Sequence, residues 1–153
     1  MMTINEASIF LENLKAETNK YSEIKVYTSF IEILSDLQNK KLAKGQLKSI
    51  EKKLDELKLD ANVENRKKYL NQKLGELIKY LNDDFFLITK GYYSALSISL
   101  GVLFGIGLGI VFEKSIGISF GISIGLITGQ AIGSQMDAEA EKENRVLNSN
   151  LSN

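Results

Sequence analysis

Along the first 90 residues, apolar side chains return every three or four positions. Ile4, Phe10, Leu11 and Leu14 follow the pair Thr3 and Glu6, which has capping-box spacing, and predict a short helix to about Thr18. Ile24, Tyr27, Phe30, Ile31, Leu34 and Leu37 predict a second, from Tyr21 to about Gln38, with Val26 and Ile33 widening its apolar face. Leu47, Ile50, Leu54 and Leu57 form a short heptad-like seam, and that helix ends near Leu59–Asn62. A fourth begins around Val63 and carries Tyr69 or Leu70, then Leu74, Leu77, Leu81, Phe85 and Ile88 on one stripe. Gly75 lies inside it and costs about 1 kcal/mol relative to alanine. Four amphipathic helices without strand-like alternation predict a small helical bundle. The alternative is an extended helical hairpin that completes its core by self-association.

After residue 91 the pattern changes. Two apolar segments, Tyr92–Phe112 and Ile116–Gly133, are separated by Glu113-Lys114-Ser115, and neither contains a charge. As a helix the first spans about 32 Å, close to the ~30 Å hydrocarbon core of a bilayer; the second is near the lower length limit for crossing one. Small residues recur every fourth position: Ser97, Gly101, Gly105 and Gly109 in the first arm, Gly117, Gly121, Gly125, Gly129 and Gly133 in the second. Four pairs, 97/129, 101/125, 105/121 and 109/117, are mirror images about Glu113. A chain that folds back there sets each glycine of one arm against a small residue of the other at equal depth. Apolar helices in lipid associate by such close backbone approach.

A second period competes with this one. Apolar and small residues alternate over Leu96–Val102, Phe104–Ile110 and Ile116–Leu126, which is the strand signal. Helices are favoured because glycine is depleted in strands and because a spanning strand needs only about 10 residues, roughly half of each arm. The predicted fold class is therefore all-α: a helical bundle over residues 1–90, a two-helix transmembrane hairpin over 91–135, and a polar tail over 136–153, read as a helical stub followed by disorder.

The distribution of charge sharpens this division. The chain carries 19 basic and 19 acidic residues, yet Glu113 and Lys114 are the only charges between 91 and 136. The balance gives no footprint for nucleic acid. Lys79 and Lys90 flank the hairpin on one side, Lys142 and Arg145 on the other, against Lys114 in the turn. The positive-inside rule then places both termini in the cytosol. The first 14 residues lack a basic region and an apolar run, so no signal peptide is expected there. Phe85, Phe86, Lys90, Tyr92 and Tyr93 have the composition of a membrane-interface belt. The fourth helix is expected to lead through or past Gly91 into the membrane. Ser115, Ser119 and Ser123 lie about 200° around the second arm from its glycines and are a candidate oligomer face, unless they back-bond to their own helix.

Catalytic chemistry finds little to use. Cysteine and histidine are absent, which removes thiol catalysis, disulfides, Cys-based metal sites and the commonest general base and metal ligand. Asp83 and Asp84 are sequence neighbours, and neighbours on a helix do not face each other, so capping or solvation explains them better than a carboxylate pair. Glu113-Lys114-Ser115 ends like a phosphate-binding loop, but Leu108 and Glu113 stand where its glycines belong; Gly105-x-Gly107 and Gly107-x-Gly109 fail the dinucleotide fingerprint. No ionisable residue lies within either arm, which argues against ion-coupled transport and voltage sensing. No cofactor, metal or catalytic residue is expected.

The series Gly101, Gly105, Gly109 and Gly117, Gly121, Gly125, Gly129, Gly133 resembles that of glycine-zipper membrane proteins, small and mostly bacterial, over residues 97–133. That group includes envelope proteins, self-assembling bacteriocin-like toxins and channel subunits. The resemblance implies a paired two-helix hairpin without one fixed activity. The expected function is a non-enzymatic integral membrane protein. Its cytosolic helical domain recruits or scaffolds a protein partner, and its hairpin anchors the chain in the lipid bilayer and favours a homo-oligomer. The alternative is a pore-forming or membrane-permeabilising effector whose hairpin inserts into a target membrane.

Overall fold

A computed structural model describes residues 1–112 and 116–147. The elements follow in the order α1 (Ile4–Ala16), α2 (Tyr21–Asn39), α3 (Lys44–Leu57), α4 (Arg66–Phe85), β1 (Ile88–Thr89), α5 (Tyr92–Phe112), α6 (Ile116–Lys142) and β2 (Val146–Leu147). The fold is all-α, with β1 and β2 forming a two-stranded sheet of two residues each. The described residues divide into two compact units, one of Met1–Thr89 with Leu147, the other of Lys90–Val146.

The first unit is a bundle whose helices start and stop for local reasons. At α1, the Thr3 hydroxyl accepts from the Glu6 amide at 3.2 Å, and the Glu6 carboxylate accepts from the Thr3 amide at 2.8 Å, a complete capping box. These bonds from Thr3 hold the Glu6 carboxyl below its usual pKa. Gln46 supplies the corresponding back-reach at α3, accepting from the Ala43 amide at 2.9 Å. Asn65 caps α4 by accepting from the Lys68 amide at 3.0 Å. Two helices end on residues in the left-handed region, α3 at Lys58 (φ 48°) and α4 at Phe86 (φ 54°). After Phe86, the Leu87 amide donates to the Leu81 carbonyl at 3.0 Å, which satisfies one of the last carbonyls of α4, and both leucines are buried.

The stripes seen in sequence become the core. Leu11 of α1, Phe30, Ile33, Leu34 and Leu37 of α2, Ile50 and Leu54 of α3, and Leu70, Leu77 and Leu81 of α4 are all fully buried in one cluster. Leu147 joins that cluster from the far end of the chain. The Tyr69 hydroxyl donates to the carbonyls of Leu57 and Lys58, tying α4 to the end of α3. Asp83 and Asp84 are exposed within the last turn of α4.

The chain does not run from α4 into α5 as one helix. α4 stops at Phe86, and Gly91 adopts φ 76° immediately before α5 begins at Tyr92. In the second unit α5 and α6 pack against each other from Gly109 and Gly117 at one end to Tyr93 and Gly133 at the other. α6 extends past the apolar arm to Lys142, so Asp137–Lys142 belong to the same helix, and Val146–Leu147 follow as a strand. The predicted turn Glu113-Lys114-Ser115 and residues 148–153 of the predicted tail lie outside the described residues.

Candidate functional site

The α5–α6 interface is built by glycines that bring two backbones together. A Cβ placed on Gly101 would overlap the Gly125 carbonyl; one on Gly105 would overlap that of Gly121; one on Gly109 would overlap that of Gly117. The reverse contacts hold as well, and Gly129 sits in the same way against the Ser97 carbonyl. Gly133 lies against Tyr93 and Ser94 at the open end. Each of these positions would bring a Cβ closer than 3.0 Å to backbone, which leaves no room for a methyl group. Gly107, outside the four-residue series, faces open space. The interface therefore consists of main chain against main chain, with nothing flexible to give way.

The two flanks of the pair differ. On one flank Ile98, Val102 and Ile106 of α5 and Ile118 and Ile122 of α6 are half-buried against the crossing. On the other, Leu100, Phe104 and Leu108 stand apart from Phe120, Ile124 and Ile132, leaving an apolar trough of about 630 Å³ with glycines along its floor. The rest of the surface is also apolar. Phe104 is 71% exposed, Phe120 69%, Ile127 70% and Val111 79%. Both helices are long and apolar enough to cross a membrane, with mean hydropathy 2.1 over Tyr92–Val111 and 1.2 over Gly117–Lys142. Only 11% and 17% of these windows are buried. The core helix of a soluble domain has the opposite ratio.

Three hydroxyl groups on these helices are occupied locally. Ser99 donates to the Ala95 carbonyl at 2.8 Å, Ser123 to that of Ser119 at 2.9 Å, and Thr128 to that of Ile124 at 2.8 Å. Back-bonding of this kind lets a hydroxyl face an apolar surround. Of the candidate oligomer face, Ser119 and Ser123 are exposed, and Ser115 lies outside the described residues.

The open end is held by a residue that sequence reasoning passed over. The Asp137 carboxylate accepts from the Tyr93 amide at 2.9 Å and from the Ser94 amide at 3.0 Å. These N–H groups lie in the first turn of α5, where a helix has no partners of its own. A carboxylate on α6 thus caps α5 across more than 40 residues of sequence. Arg145 bonds to Tyr93 and to Glu143, and the Tyr93 bond foremost raises its pKa. One signal in the sequence pointed to Asp137: it occupies the next step of the series 117, 121, 125, 129, 133.

The residues read as an interface belt fall in both units. Phe85 is half-buried and packs against the bundle core, its ring edge-on to Tyr80 at 5.5 Å. Phe86 is 67% exposed. In the second unit Lys90 and Tyr92 are exposed, and Tyr93 meets the Tyr92 ring edge-on at 5.3 Å. Among the described residues no group of three or more Asp or Glu side chains is placed to hold a metal ion. No protein family matches this chain, and neither a curated protein nor a solved structure shows significant similarity to it.

Proposed function

We propose that this chain is a non-enzymatic integral membrane protein, anchored by α5 and α6 as a glycine-zipper hairpin with both termini in the cytosol. The observation that carries the reading is the inversion of the second unit: its helices pack by bare backbone and expose most of their large apolar side chains. Water penalises such a surface by about 25 cal/mol per Å². In lipid the penalty vanishes and the backbone contact remains as the source of cohesion. Phe86, Tyr92 and Tyr93 with Lys90 supply the aromatic and cationic side chains suited to headgroup depth. The bundle, with its own closed core, is free to recruit a protein partner, and the exposed face of Ser119 and Ser123 offers a second hairpin a surface for homo-oligomerisation.

The back-bonds of Ser99, Ser123 and Thr128 favour this anchor over the pore-forming alternative, since they engage three of the hydroxyl donors a channel lining would use. Membrane fractionation tests the proposal. The full chain, expressed and extracted with alkaline carbonate, is expected to stay in the pellet without loss of cell viability. Recovery in the supernatant, or dye release from liposomes on adding soluble protein, would overturn the anchor and favour the effector. Crosslinking in nanodiscs that yields only monomer would remove the oligomer from the account.

A further inference from the structure

A cleft of about 590 Å³ opens on the first unit between α2 and α4. Lys25, Lys67 and Lys68 line it, and no carboxylate does. None of the three lysines forms an ion pair among the described residues. Glu23, in the adjoining cleft, feels Lys67 but is engaged by the Thr18 hydroxyl at 2.6 Å and by Lys20 at 3.3 Å. Three cations lining one cleft without a direct ion-pair partner repel one another, and an anion in the cleft relieves that repulsion.

Ser29 provides an independent observation. It is 5% exposed, lines the same cleft, and its hydroxyl has no hydrogen-bond partner among the described residues. Serines within helices commonly bond back to their own carbonyls, as Ser99 and Ser123 do in this protein. A buried hydroxyl left without a partner carries the full penalty of desolvation, which a ligand oxygen would remove. The cleft also gathers two helix N-termini. Tyr21 and Ser22 open α2, which has no side-chain cap, and Lys67 and Lys68 open α4, where Asn65 already occupies the Lys68 amide. First-turn N–H groups and the helix dipole favour anions there.

We propose that this cleft binds a phosphate-bearing ligand, with Lys25 and Lys68 holding its oxygens and Ser29 donating from the floor. Phosphate suits the site because it offers several acceptor oxygens and more than one negative charge to a group of ammonium and hydroxyl donors. A soluble phosphorylated compound and an anionic phospholipid headgroup share this chemistry. The inference concerns the first unit alone and stands whether or not the hairpin enters a bilayer.

Thermal unfolding of the full chain tests it in two arms. In phosphatidylcholine nanodiscs, pyrophosphate is titrated against sodium chloride of matched ionic strength. In the second arm, part of the phosphatidylcholine is replaced by phosphatidylglycerol, with no soluble phosphate present. A saturable rise in Tm in the first arm identifies a soluble source, a rise in the second a headgroup; either supports the proposal. Lys25→Gln with Lys68→Gln is expected to weaken the response about tenfold or more, whereas Lys52→Gln on α3 leaves it unchanged. Amide resonances of Ser22, Ser29 and Asn71 in the unsubstituted protein give a second readout, independent of how the variants fold. Saturating shifts confined to these residues support the site. No saturable rise in either arm, an equal rise in the double variant, or shifts spread over all surface lysines would overturn it.

Discussion

A methyl group is the smallest change the α5–α6 interface can be asked to absorb, and at Gly121 or Gly125 it overlaps the carbonyl of Gly105 or Gly101. The neighbour is backbone, so relief requires the helices to separate. Gly121→Leu and Gly125→Leu are therefore expected to destabilise the membrane-reconstituted protein by about 3 kcal/mol or more, at the upper end for overpacking. Gly107→Leu and Ile122→Leu are expected to shift it by less than about 1.5 kcal/mol, because Gly107 faces open space and Ile122 changes shape at constant volume. Denaturation in mixed micelles, followed by proximity of labels on the two arms, measures this contrast; equal effects from all four would dismiss the close-packed account. Asp137 acts at the same scale through hydrogen bonds. Asp137→Ala leaves the Tyr93 and Ser94 amides uncapped and is expected to cost about 1–2 kcal/mol, whereas Asp137→Asn, which keeps one acceptor, is expected to cost less. Hydrogen exchange at those two amides reports the loss directly. Spacing alone makes the glycine pairs legible, since two series with period four that mirror each other permit one register. Asp137 was harder to read because its role depends on where α5 begins, which is a tertiary fact.

The helices of the bundle show which local signals suffice and which do not. Thr3 with Glu6 announces the start of α1, and apolar spacing announces the body of α2, α3 and α4. Their ends are less legible. Lys58 and Phe86 terminate helices in the left-handed region without being glycine or asparagine, so residue type gives no warning. Lys58 is exposed, and Lys58→Gly is expected to stabilise the protein by about 0.5–1 kcal/mol by removing that backbone penalty. Gly75 is the converse case: it is exposed inside α4 with nothing within 4 Å, so Gly75→Ala is expected to gain about 1 kcal/mol. Chemical denaturation of each variant measures both, and a loss at Gly75 would show that the position serves something other than the helix. The carboxyls of Glu6, Glu23 and Glu76 are held low first by hydrogen bonds from Thr3, Thr18 and Lys73 respectively. A depressed folded-state pKa contributes stability above the unfolded value of about 4.3 and loses it as pH falls through the folded value. The bundle is therefore expected to weaken as pH drops below about 4, and Glu23→Gln with Glu76→Gln is expected to flatten that acid limb. An acid limb of unchanged slope in the double variant would contradict this assignment.

Over the whole molecule, two units are organised in opposite ways. The first buries its leucines and exposes its charges; the second exposes its leucines and phenylalanines and buries backbone. Composition by region makes that division visible, because charge is excluded from one block of the chain. The boundary between the units is less visible: Gly91 marks it, but Phe86 decides where α4 stops. The basic cleft between α2 and α4 was out of reach, since its lysines lie some 40 positions apart in sequence and only packing brings them together. The claim on which the proposed function depends is that α5 and α6 cross a bilayer as a pair with both termini on one side. The chain has no cysteine, so single-cysteine variants give an unambiguous label. In intact cells a membrane-impermeant maleimide is expected to label Lys114→Cys, and to label Asn5→Cys only after lysis. Labelling of both or of neither in intact cells, with the protein in the soluble fraction, would contradict the account.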